Sequence, residues 1–156
     1  MKSRIRSVLL GVAAAGFAVS ASVAGAPAAV AAPAPGAVEL CRFTYPTPDP
    51  FQRTATTVIH AEPSDSGILN LHIHTDAQSD IEYDQRFSVN WANIDTGRSG
   101  VAENNRPVHG PDNEYLLRNT LTESGRLALV LSASNRGLGE LDNHVTNGTC
   151  SAEHDV

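Results

Sequence analysis

Gln85-Arg-Phe-Ser-Val-Asn-Trp-Ala-Asn93 is the stretch that decides the fold class. Phe87, Val89 and Trp91 recur at every second position, with Ser88, Asn90 and Ala92 between them. A period of two sends the two sets to opposite faces of an extended chain, so the segment reads as a strand with one buried face and Trp91 central to the core.

The same period appears on both sides. Ile68 to Thr75 puts Leu69, Leu71 and Ile73 on one face and Asn70, His72 and His74 on the other. It follows a β-branched run, Thr54 to His60, across the turn cluster Glu62 to Gly67, and the pair reads as a hairpin. Arg126 to Ser134 alternates Leu127, Leu129 and Leu131 with Ala128, Val130 and Ser132, which predicts a strand buried in part on both faces. Asp95 to Gly100 is a turn, and Asn147-Gly148 predicts a tight hairpin just before Cys150. Residues 103–113, ENNRPVHGPDN, have no apolar period and are expected to form a long surface loop; Tyr115 to Leu121 fits either a strand or a helical turn. No stretch carries a sustained 3.6-residue apolar spacing. Six to eight short strands separated by turns predict an all-β domain, a small β-sandwich in an immunoglobulin-like two-sheet arrangement.

Two cysteines, Cys41 and Cys150, stand near the ends of this domain. With no C-x-x-C motif or neighbouring ligands, they are expected to pair as one disulfide joining the first and last strands side by side.

The first residues differ in kind. Lys2, Arg4 and Arg6 precede an uncharged run from Val8 to Val19, followed by small residues in A-x-A patterns. That is the layout of a secretory signal peptide, with an apolar stretch shorter than the roughly 20 residues a membrane span needs. Cleavage after Ala31 fits best, and Ala24 and Ala26 offer earlier sites. The expected organisation is therefore a leader over 1–31, a Pro/Ala-rich flexible spacer over 32–37 and one domain over 38–156. The expected location is outside the cell, and the Ala-rich leader with Arg favoured over Lys points to a high-GC bacterial source.

Losing the leader takes the 11 basic residues to 8, against 17 acidic ones, a net charge near −9. Such a chain is repelled by phosphate backbones and anionic lipid, so neither nucleic acid nor membrane insertion of the mature form is expected.

Few residues suggest chemistry. His72 and His74 share a strand face, and His60 on the preceding strand could join them to hold Zn²⁺ or Cu²⁺. The more economical reading is a solvated polar face. Asp76, Asp80, Glu82 and Asp84 lack the spacing and distal Glu of a calcium loop. Ser99, in Gly97-Arg-Ser-Gly100, matches no nucleophile elbow, although Arg98-Ser99 in a Gly-bounded turn could face a trypsin-like protease as an inhibitor's reactive pair. The composition thus predicts no enzyme and no cofactor, but a secreted protein that binds an extracellular protein or envelope component through its loops, with protease inhibition and histidine-based metal binding as the alternatives.

Overall fold

The computed structural model describes residues 32–156, and the leader expected over 1–31 lies outside the described residues. Eight strands follow in order: β1 (Val38–Pro46), β2 (Thr54–Glu62), β3 (Ile68–Asp76), β4 (Tyr83–Asn93), β5 (Ser99–Val108), β6 (Asn113–Leu121), β7 (Arg126–Gly137) and β8 (Val145–Asp155), with one 3₁₀ turn at Gly139–Leu141. They form two antiparallel sheets, ordered β1-β2-β3-β6 and β5-β4-β7-β8. The chain crosses between sheets three times, from β3 to β4, β5 to β6 and β6 to β7. The expected two-layer arrangement is present. Its strand order differs from the immunoglobulin order, so the likeness lies in the layers and not in the connections.

One apolar cluster joins the inner faces. Ile59, Leu69, Leu71 and Ile73 of the first sheet pack with Phe87, Val89, Trp91, Leu127, Leu129 and Leu131 of the second. All but Ile59 are residues whose two-residue spacing predicted burial. Gly100 opposes Trp91 in the β4–β5 ladder, and a Cβ there would lie 2.7 Å from the indole ring, so Trp91 fits only over a glycine.

The structure revises or settles four expectations. Residues 103–113 are mostly strand: β5 holds a continuous register with β4 from Tyr83↔Val108 to Ala92↔Ser99. Its inward positions carry Gly100, Ala102, Asn104 and Arg106, so an edge strand built by main-chain pairing showed no apolar period. Tyr115 to Leu121 resolves as strand β6, with Tyr115 and Leu117 inward. Asn147-Gly148 lies inside β8 rather than at a turn. Gly148 is needed there because a Cβ would strike the rings of Phe43 and Tyr45. Finally, β7 fully buries Leu127, Leu129 and Leu131 on one face, while on the other Ala128 and Ser132 are half-buried and Val130 is exposed.

The disulfide forms as expected, Cys41 to Cys150, with Cα atoms 6.3 Å apart. β1 and β8, however, belong to opposite sheets, so the bond spans the sandwich at one edge instead of joining neighbours within a sheet. A bulge makes this possible. Glu39 pairs with His60 on the outer face, but the register shifts at Leu40 so that Cys41 pairs with Ile59 and turns inward.

A polar group sits inside this apolar interior. Gln85 is fully buried and its amide reaches from β4 into the other sheet. Its Nε2 donates to the Tyr45 hydroxyl (2.6 Å) and to Asn135 Oδ1 (2.9 Å), while Oε1 accepts from Thr75 Oγ1 (3.2 Å) and Tyr115 Oη (3.3 Å). Tyr45 to Thr57 (3.2 Å) and Thr57 to Thr75 (2.9 Å) close a ring in which each hydroxyl accepts one hydrogen bond and donates the next.

Two outcomes follow. Cys41→Ser with Cys150→Ser should lower stability by up to about 4–5 kcal/mol while far-ultraviolet circular dichroism stays that of a β protein, since the ladders and core do not need the bond. Gln85→Leu, similar in volume, should cost about 2–4 kcal/mol in urea denaturation, because it leaves the buried Tyr115 hydroxyl without its partner and takes one hydrogen bond from each of Tyr45, Thr75 and Asn135.

Candidate functional site

The three histidines share the outer face of the first sheet, as their spacing required. His60 stands directly opposite His72, and the ring centroids are 6.3 Å apart. Each histidine faces its own carboxylate. His60 Nε2 is 3.9 Å from Glu39, His72 Nε2 is 3.5 Å from Glu114, and His74 Nε2 is 3.9 Å from Asp112. Burial holds His60 below the usual imidazole range, with Glu39 opposing and the neighbouring His72 reinforcing the effect. Their acids diverge, and among the described residues no three His, Cys, Asp or Glu side chains converge to hold a metal ion.

The acidic run also disperses. Asp76 is occupied by the amide and side chain of Gln78, and Asp84 stands across from Arg136 in the β4–β7 ladder. Arg98 is exposed, but its guanidinium pairs with Glu123. Its carbonyl oxygen accepts from the Asn93 amide (2.7 Å), and Ser99 already pairs with Ala92. A protease needs that carbonyl free to enter its oxyanion hole. The turn gives the inhibitor reading no geometric support.

The strongest surface feature is one that sequence reasoning did not single out. Three connections at one end of the sandwich, residues 47–53, 77–82 and 109–112, are welded by hydrogen bonds. Asp49, nearly fully buried, accepts from the amides of Phe51 (2.7 Å) and Gln52 (3.1 Å) with Oδ1 and from Ser79 Oγ (2.7 Å) with Oδ2. Arg53 donates to the Gln78 carbonyl. Ala77 and Gly110 then bind main chain to main chain, and Gly110 N–H closes on Ser79. Burial alone would raise the Asp49 pKa, but the donors around it favour the ionised form and hold it below the ordinary carboxylate range. Above this braced turn Phe51 is 71% exposed, the most exposed aromatic among the described residues. The one available signal was Pro48-Asp49-Pro50, an Asx-type turn sequence directly before an aromatic.

A second feature opens on the histidine face. A cleft of about 580 Å³ lies between the edge strands β5 and β6, with His72, Glu62, Glu114 and Arg118 on one side and Arg106 on the other. The Arg106 guanidinium lies 4.9 Å over the Tyr115 ring and donates to the Glu114 carbonyl, so it seals the sandwich edge beneath the cleft. Residues 32–34 run along this cleft, and the Ala37 amide donates back to the Ala34 carbonyl (2.9 Å).

No helix among the described residues is long and apolar enough to cross a membrane. Compared with models of protein families, with curated proteins and with solved structures, the chain finds no match.

Asp49→Ala should destabilise the protein by about 1.5–3 kcal/mol. Because folding depresses this pKa, the stabilisation is present above the unfolded value of about 3.9 and is lost as pH falls through the folded one. Thermal melts of wild type and variant from pH 7 down to pH 2.5 should therefore converge at the acid end.

Proposed function

We propose that this is a secreted, non-catalytic binding protein that docks an extracellular protein or envelope component through the loop end carrying Phe51. One observation carries the reading: a largely exposed aromatic, Phe51, on a turn that a buried carboxylate braces. An exposed apolar ring on a mobile loop would lose the entropy of ordering when it binds. On a pre-ordered turn that cost is already met, which is how small recognition surfaces reach useful affinity. Large aromatics also dominate the energetics of interfaces, since one ring brings a large apolar area with few torsions to freeze.

The rest of the molecule fits the same role. A disulfide-spanned sandwich is a stiff platform that keeps its loops in place, and a cysteine pair of this kind suits an oxidising exterior. The signal-peptide layout of the first 31 residues supplies the route out of the cell. Strong net acidity turns the protein away from anionic polymers and toward protein or neutral surfaces.

Immobilised wild-type protein and a Phe51→Ser variant, exposed to envelope and culture-medium proteins of the producing cell, test the proposal. A partner held at micromolar or better affinity by the wild type should bind the variant at least about 30-fold more weakly, the loss expected for an interfacial aromatic anchor. Equal retention by the two baits, or no retention by either, overturns it.

A further inference from the structure

The sequence and the cleft on the histidine face point to one ligand. We infer that the cleft between β5 and β6 is a binding site for a primary ammonium group, and that its occupant is the protein's own N-terminus, created when the leader is removed after Ala31. The inference rests on the secretion reading above.

Ala32 lines the cleft beside Glu62 of β2, His72 of β3 and Glu114 of β6. The Glu62 and Glu114 side chains are only 14% and 17% exposed, shielded enough for their charge to act strongly at short range. His72, at the wall of the cleft, is almost fully buried and its Nδ1 has no hydrogen-bond partner among the described residues. Two cations also face the cleft. Arg118 approaches Glu62 at 4.0 Å, and Arg106 is turned to the Tyr115 ring and the Glu114 main chain. Among the described residues the Glu114 carboxylate is therefore left with His72 as its ion-pair partner.

In the precursor the Ala32 nitrogen is a neutral amide. Hydrolysis adds one water across the Ala31–Ala32 bond: the hydroxyl goes to the Ala31 carbonyl carbon and a hydrogen to the Ala32 nitrogen. The new acid then gives up its proton and the new amine takes one, leaving Ala31 as a carboxylate and Ala32 as an ammonium. The cleft gains its ligand only at that moment, and residues 32–37 become an arm fastened across the histidine face.

The chain offers an unusually direct test. Lys2 is its only lysine, so after cleavage the α-amine of Ala32 is the single primary amine in the protein. The secreted protein is purified, its mass determined, and the rate of acylation by an amine-selective reagent followed against pH beside the peptide Ala-Pro-Ala-Pro-Gly. An ammonium held by carboxylates titrates above the usual α-amino range of about 7.7–8.0, so acylation at pH 7 should be about tenfold slower than for the peptide, with its midpoint displaced upward. Glu62→Gln with Glu114→Gln should return the midpoint to that of the peptide. Acetylating the wild-type amine, which needs no substitution, should lower the melting temperature by a few degrees, on the order of 2–6 °C. A chain that begins elsewhere overturns this inference together with the assigned cleavage site. A chain that begins at Ala32 but acylates with the peptide's midpoint, or melts unchanged when acetylated, overturns the ammonium site and leaves the secretion reading standing.

Discussion

The fold hangs on the Gln85 amide. It lies between two sheets in an apolar interior, where an amide without partners is strongly unfavourable. Direct hydrogen bonds reach β1, β3, β6 and β7, and the hydroxyl ring brings in β2 through Thr57. Any slip of β4 by one residue would carry Gln85 to the solvent face and drive Arg86 inward, because the side-chain period is two. Hydrophobic burial drives the sheets together but tolerates several alignments. The closed ring tolerates one, since each of its hydroxyls must both give and accept. The polar cluster thus supplies register where the apolar core supplies most of the energy.

The two long edges of the sandwich are closed by different means. At the β1–β8 edge a covalent bond does it, and the bulge at Leu40 exists in the geometry to turn Cys41 toward that bond. At the β5–β6 edge Arg106 lies over Tyr115 and reaches the main chain of β6. Pro107 also sits on β5, where it denies an incoming strand one donor and discourages edge-to-edge pairing. One edge is thereby apolar and fixed, and the other is polar, charged and cleft-forming.

The sites follow from this asymmetry. The loops that carry Phe51 sit at the end where β1 leaves the first sheet, and they are held by buried Asp49 instead of by apolar packing. The histidines occupy the outer face, where their acids divide them into pairs and, among the described residues, leave no shared point for a metal. The cleft opens at the polar edge because inward positions of β5 hold Asn104 and Arg106 where a core strand would hold leucine. The proposed recognition at the loop end and the proposed anchoring of the arm draw on different residues, one on an aromatic and the other on carboxylates.

By itself the sequence determined the all-β class, the inward faces of β3, β4 and β7, and the pairing of Cys41 with Cys150. Those features are local or have a single solution: a period of two is legible in nine residues, and two cysteines have one intramolecular way to join. The same period carried more than was drawn from it. Gln85 and Asn93 have the parity of Phe87, Val89 and Trp91, and both are buried. Tertiary structure alone decided the rest. It made a strand of the polar β5, because the ladder with β4 stabilises main chain whatever the side chains are. It also placed Gly148 under two aromatic rings instead of in a turn, and put β1 and β8 on opposite sheets. Buried Asp49 and the arm across the cleft are likewise products of contacts between segments distant along the chain. No pattern of spacing records such contacts, because they come into being only when the two sheets close on each other.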